Sequence, residues 1–135
     1  MTIAALLPAI GCGGADTLTF EGTDQDQVAA TVNAMTAAIA AGEGALACEL
    51  MTARAQRIML AAGRQAATGP EPVDDCAAAV PSAEAAGYDP GDFRIKVGDV
   101  RVSGDRAVAR CDLDGEFALV RDDAGWRVDV PYCNH

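Results

Sequence analysis

The spacing of apolar residues changes once along this chain, and this change constrains the fold more than any other feature. Over residues 23–42 the apolar side chains follow one face of a helix: Val28, Val32, Met35 and Ile39. Thr23 is placed to cap the start of that helix, and Gly42 is placed to end it. Further helices are predicted over about 43–50, over 53–63 with Thr52 as the cap, and over 73–81. The helical methionines are expected to fill the core: Met35, Met51 and Met59.

From residue 93 onward, apolar and polar residues alternate instead, as they do in strands. Four strands are predicted, over 93–102, 106–113, 116–122 and 126–131. Short turns of the sequences SGD, DG and DDAG separate them, and such turns join antiparallel neighbours. The apolar phase slips by one residue at Gly98–Asp99, which predicts a β-bulge there. Helices followed by a separate antiparallel meander predict a single α+β domain.

Four of the five cysteines form an even set. They are Cys48, Cys76, Cys111 and Cys133. Three pairings are open to them, and pairing within the helical half and within the strand half gives Cys48–Cys76 and Cys111–Cys133. Each such bridge would contribute on the order of 3 kcal/mol in the chain-entropy model. The alternative is that all four are reduced, buried thiols.

The same cysteines are poor candidates for a metal site or a nucleophile. None of them has CxxC spacing, and the single histidine is His135 at the end of the chain. A zinc site would therefore need ligands from unrelated segments, and a cysteine nucleophile would lack a histidine held in the fold. The sequence predicts no metal site and no cofactor.

Cys12 follows an apolar N-terminal stretch and stands apart from the other cysteines. Ala9-Ile10-Gly11-Cys12 resembles the lipobox of bacterial lipoproteins, in which the cysteine is acylated and becomes the new N-terminus. Residues 1–11 are then a shortened signal peptide, 12–22 a polar tether and 23–133 the folded domain. Two departures from the pattern are Ala9, where Leu is usual, and the lack of Lys or Arg before Cys12. The alternative is a cytosolic protein with one free thiol at Cys12.

The charge of the chain argues against one class of partner. Twenty acidic and ten basic residues give a formal net charge of −10, and the acids are spread along the sequence. Phosphate backbones repel such a chain, so nucleic-acid binding is not expected. No apolar stretch reaches the roughly 20 residues that a membrane-spanning helix requires.

The helical stretch AAIAAGEGALACELMTARAQ, the pair Cys48 and Cys76, and the closing hairpin LVRDDAGWRVD together resemble the nuclear transport factor two-like superfamily. More narrowly, they are similar to small secreted or lipid-anchored members from actinobacteria. The resemblance covers about residues 20–133. It implies a cone, in which a strongly curved antiparallel sheet wraps the N-terminal helices and leaves a pocket at the open end.

Enzymes of that superfamily hold a carboxylate base with Tyr, Asp or His groups in the pocket. The carboxylates that could serve here are Asp99, Asp112, Asp114 and Asp129, and the tyrosines are Tyr88 and Tyr132. Surface or turn positions are expected for the four carboxylates. Asp129 alternates with Trp126, so it is expected to face away from that ring, and Trp126 is expected to pack between sheet and helices.

These observations predict an extracytoplasmic, membrane-anchored lipoprotein that binds rather than catalyses. Its partner would be a small apolar ligand or another envelope protein. The alternative function is a small enzyme of ketosteroid isomerase-like or dehydratase-like type, and a secreted soluble form is the alternative location. A third hypothesis is a homodimer formed through the sheet.

Overall fold

The computed structural model describes residues 20–67, 69, 72–85, 94–111 and 115–134. Within those ranges it contains four helices and four strands. The helices are α1 (Asp24–Ala40), α2 (Gly44–Glu49), α3 (Ala53–Ala66) and α4 (Cys76–Ala85). The strands are β1 (Val100–Ser103), β2 (Arg106–Arg110), β3 (Glu116–Asp122) and β4 (Gly125–Asn134). The predicted α+β class is confirmed.

Helix α1 begins and ends where its caps place it. The Asp26 amide donates to Thr23 Oγ1 at 3.1 Å, and the Thr23 amide donates to Asp26 Oδ2 at 3.0 Å, which forms a capping box. Gly42 takes a φ of 77°, a left-handed conformation that suits glycine just after a helix. The predicted apolar stripe is buried: Val28, Val32, Met35 and Ile39. Burial of this stripe against the sheet holds α1 in the core.

Helices α3 and α4 pack closely because glycine lies at the contact. A Cβ atom at Gly63 would overlap the Ala79 side chain and lie 2.7 Å from the Ala79 Cα. Cys48 of α2 is bonded to Cys76 of α4, with their Cα atoms 6.2 Å apart. The expectation of disulfide bonds is confirmed, and this bond links the helices within one half of the chain.

The strands form one antiparallel meander in the order β1-β2-β3-β4, curved and not closed into a barrel. A second disulfide joins Cys111, just after β2, to Cys133 on β4, with a Cα separation of 6.1 Å. Along the edge of β4 that does not pair with β3, the Thr52 amide donates to the Val128 carbonyl and the Val128 amide donates to the Leu50 carbonyl, both at 2.9 Å. These bonds partly cover the edge of β4.

The bulge predicted at Gly98–Asp99 is wrong. Val97–Asp99 form a turn of 3₁₀ helix, and the first strand starts at Val100 rather than at residue 93. The phase slip in the sequence therefore marks the end of a turn. A register shift lies instead between β3 and β4, where Ala118 pairs with Val130 and Leu119 pairs with Val128. Asp129 is the extra residue at that shift.

The segment ahead of β1 is held by a side chain of α1. Asn33 Nδ2 donates to the Ile95 carbonyl at 2.9 Å, and the Ile95 amide donates to Asn33 Oδ1 at 2.8 Å. The Asn33 amide thus pairs with the backbone of Ile95 as a neighbouring strand would. Ile95 itself is buried in the core.

The core lies between the helices and the inner side of the sheet. Trp126 is 2% exposed and belongs to this core, as predicted. Phe117 and Leu119 of β3 pack there with it. The three predicted core methionines are all buried: Met35, Met51 and Met59.

Candidate functional site

The best-placed of the predicted carboxylates, Asp129, makes structural contacts. Its Oδ1 accepts a hydrogen bond from Thr52 Oγ1 at 2.9 Å, and its Oδ2 lies 2.9 Å from Arg54 NH1. The Asp129 side chain is 14% exposed, whereas Arg54 is 60% exposed. Thr52 also caps α3, since the Ala55 amide donates to its hydroxyl at 3.1 Å. Asp129 therefore fixes the start of α3 to the last strand.

The expected orientation of Asp129 rested on regular alternation along β4. Because Asp129 is the extra residue at the register shift, alternation does not continue through it. Trp126 and Val128 face the core, and the Asp129 carboxylate lies beside the first turn of α3.

Of the other predicted site residues, the two that the structure describes, Asp99 and Tyr132, make no contact with Asp129. Asp99 is half-buried in the 3₁₀ turn, and Tyr132 is 43% exposed. The remaining residues considered from the sequence lie outside the described residues: Cys12, Tyr88, Asp112, Asp114 and His135. In the described part of the chain, no three His, Cys, Asp or Glu residues are grouped as metal ligands.

A second ionic cluster closes the sheet onto the start of α1. Arg121 NH1 lies 2.9 Å from Asp24 Oδ1, and the same oxygen accepts a 3.3 Å hydrogen bond from Trp126 Nε1. The Arg121 guanidinium stands 5.0 Å from the centre of the Trp126 ring, within cation–π distance. Asp105 completes the cluster, 3.2 Å from Arg121 NH2. These contacts hold the turn between β3 and β4 against the helix, which is a structural role.

The sheet has a second face, which points away from the helices. Alternation sends Ala107, Ala109, Phe117 and Leu119 into the core, so their neighbours in sequence lie on the opposite side. We call this opposite side the outer face. It is formed by Arg101, Ser103, Arg106, Val108, Arg110, Glu116, Ala118 and Val120.

The outer face carries more positive than negative charge, although the chain as a whole is acidic. Arg101 is 71% exposed and forms a 3.1 Å ion pair with Glu116. Arg106 and Arg110 are exposed, and neither forms an ion pair with another described residue. Three arginines thus face one glutamate on this surface.

A groove of about 350 Å³ opens between the β1 and β2 side chains. Its lining residues are Arg101, Val102, Ser103, Arg106, Ala107 and Val108. A smaller polar cavity of about 160 Å³ lies toward the other end of the hairpin, where Asp99 and Glu116 meet Arg101 and Arg110. The two acids offset the arginines at that end, so the basic excess lies around Arg106.

Arg127, on β4 beside Val120, is a buried cation. It is 6% exposed, and its NH1 donates to the Trp126 carbonyl at 2.7 Å. Within the described ranges it forms no ion pair. Burial of a guanidinium normally requires several hydrogen bonds or a carboxylate to offset the loss of hydration.

Sequence reasoning did not single out the arginines of the outer face. The signal was present, because Arg101, Arg106 and Arg110 occupy polar positions of alternating strands. Their placement on one surface depends on the pairing of β1 with β2, which brings Arg101 opposite Val108 and between the other two arginines. The net charge of −10 conveys nothing about such a local patch.

Comparisons of the chain with protein-family models, with curated proteins and with solved structures found no match. Among the described helices, none combines the length and the apolar character needed to cross a membrane. What the structure defines is therefore an α+β domain with two disulfides and a basic groove on the outer face of its sheet.

Proposed function

We propose that this protein is an extracytoplasmic binding module of the nuclear transport factor two-like type, held at the membrane by a lipid on Cys12 and without a catalytic role. Its partner is another envelope protein, which docks on the outer face of the sheet. The observation that carries the proposal is the open groove beside Arg106, where an exposed cation lies next to the half-buried Val108 on the β1–β2 hairpin.

The two disulfides support the location. Disulfides persist in oxidising compartments and are rare in the bacterial cytosol, so their presence is compatible with an extracytoplasmic domain. They leave Cys12 as the cysteine outside both bridges, which suits its use as an acylation site.

The contacts of Asp129 support binding over catalysis. A general base needs a carboxylate that can reach a substrate, and both Asp129 oxygens are engaged by Thr52 and Arg54. The groove on the outer face is wide and open, which fits a protein surface better than a small apolar ligand, since small ligands favour enclosed pockets.

The experiment is to express the chain and its Cys12→Ser variant in the native host with a labelled fatty acid. The proposal predicts that the native chain carries the label and sediments with membranes, and that Cys12→Ser carries none and is released. Alkylation of the denatured but unreduced protein should leave Cys48, Cys76, Cys111 and Cys133 unmodified, because denaturation exposes any buried free thiol. An unlabelled native chain, or four reactive thiols, would overturn the proposed location and anchor.

A further inference from the structure

We propose that the groove between Arg101 and Arg106 recognises an acidic, extended segment of a partner protein. This inference rests on the proposed binding function and names the chemistry of the partner. A carboxylate of the segment lies between the two guanidinium groups, and an aliphatic side chain two residues further along lies over Val108.

The arginines supply the first half of this recognition. Arg106 is exposed and forms no ion pair with a described residue, and Arg101 contacts Glu116 through NH2 alone at 3.1 Å. Donor groups on both side chains are thus available to a carboxylate, and Ser103 adds a hydroxyl directly opposite Arg106. The acid next to Arg106 in sequence, Asp105, is paired with Arg121, so a carboxylate from a partner would supply the counter-charge that Arg106 lacks.

The spacing of the hairpin supplies the second half. Arg106 and Val108 are two residues apart on β2, and same-face residues on a strand are separated by roughly 7 Å. Alternate residues of an extended segment have this same spacing, so an acid and an aliphatic residue two positions apart match Arg106 and Val108 together. The groove of about 350 Å³ has space for such side chains between the outer-face residues of β1 and β2.

The charge of the whole molecule favours a short segment over a large polyanion. Charges more than a Debye length apart, about 8 Å at physiological ionic strength, are largely screened, so a short segment bound in the groove interacts mainly with the arginines there. The rest of the surface is acidic, since the net charge of the chain is −10. Nucleic acids and anionic membranes extend past the groove and meet repulsive surface. A second copy presenting the same face would oppose arginine to arginine. A short acidic segment contacts only the basic groove.

The test measures binding of a short, end-capped peptide in which a glutamate and a valine stand two positions apart in a polar background. Fluorescence anisotropy is recorded with the full chain and with an Arg101→Gln/Arg106→Gln variant. The matched control is Arg57→Gln/Arg94→Gln, which removes the same charge from exposed positions that do not line the groove. We expect the outer-face variant to bind about fivefold or more weakly and the control variant to change less than about twofold.

A peptide with glutamine in place of glutamate should lose a similar factor, and a peptide with the two residues adjacent should bind more weakly than the spaced one. Equal weakening in both protein variants would overturn the proposal, because it would show a diffuse charge effect. No binding of the spaced peptide, tighter binding to anionic phospholipid vesicles, or self-association that disappears in the outer-face variant would also overturn it. Acylation and thiol status are read separately, so a negative peptide result leaves the proposed location intact.

Discussion

Replacement of Asn33 by aspartate tests the way the α1 helix holds the chain ahead of β1. In the native chain the Ile95 amide donates to Asn33 Oδ1 at 2.8 Å, and the substitution keeps an acceptor oxygen for this amide. It removes the Nδ2 donor and places a second carboxylate oxygen about where that donor was, 2.9 Å from the Ile95 carbonyl oxygen. Two acceptors then face each other in a partly buried site.

The magnitude follows from those two bonds. Loss of one hydrogen bond costs about 1 kcal/mol, and leaving a buried carbonyl without a donor costs about 1–3 kcal/mol. We therefore expect Asn33→Asp to lower the free energy of unfolding by about 2–4 kcal/mol at neutral pH. Urea denaturation followed by Trp126 fluorescence measures this value, because Trp126 lies in the core.

The pH dependence separates this explanation from a general packing defect. Only the protonated carboxyl can donate to the Ile95 carbonyl, so folding favours the neutral form and raises the pKa of the introduced group above its unfolded value of about 3.9. The destabilisation is then full above the folded pKa and shrinks as the pH falls toward the unfolded value. Asn33→Ala should be destabilised by an amount that does not change with pH, when each variant is compared with the native chain at the same pH. Equal behaviour of the two variants would refute the pairing of Asn33 with Ile95.

Three further predictions concern stability. Gly63→Ala should lower the free energy of unfolding by about 1–3 kcal/mol, because the added Cβ meets the backbone of Ala79. Gly98→Ala is the control: its Cβ has open space around it, so its free energy of unfolding should change by less than about 0.5 kcal/mol. A stabilised Gly63→Ala variant would contradict the close contact between α3 and α4. Thr52→Ala should cost about 1 kcal/mol by thermal or urea unfolding, and Thr52→Ser should restore most of it because the capping hydroxyl returns; equal losses would argue against the cap. Arg127→Met should be neutral or stabilising within about 1 kcal/mol, since it removes a buried charge that has no ion pair among the described residues; a loss above about 3 kcal/mol in urea unfolding would show that the charge has a partner.

Local signals predicted much of the fold. The structure confirms the apolar stripe from Val28 to Ile39, the cap at Thr23 and the end of the helix at Gly42. Each of these signals depends on residues that are close together in the sequence. The same holds for the meander, whose turns lie between strands close in sequence. Such local patterns predict structure well because the contacts that stabilise a helix turn or a hairpin join residues that are close in the sequence.

The parts that sequence reasoning missed depend on distant contacts. Asn33 and Ile95 are 62 residues apart, and no local pattern reports that the amide replaces a strand neighbour ahead of β1. The predicted bulge at Gly98–Asp99 failed for this reason, because a phase slip in alternation is equally produced by a turn entering a strand. Asp129 takes its role from Thr52, 77 residues away.

The candidate site follows the same rule. Arg101 and Arg106 are ordinary polar positions when each strand is read alone, and only the β1–β2 register places them side by side on the outer face. The chemistry of a carboxylate is visible in the residue type, and surface or turn positions were expected for all four of them. Position in the sheet, which the sequence conveys weakly, decides which side chains share one surface.

Intact mass spectrometry of the protein purified from its native host is the decisive measurement, since one spectrum reports the N-terminus, acylation and oxidation state. We expect a mature chain that begins at Cys12, carries the added mass of acyl chains, and lacks the hydrogens of four thiols because of the Cys48–Cys76 and Cys111–Cys133 bonds. A chain that retains residues 1–11, carries no acyl group and has all its cysteines reduced would refute the proposed location and anchor.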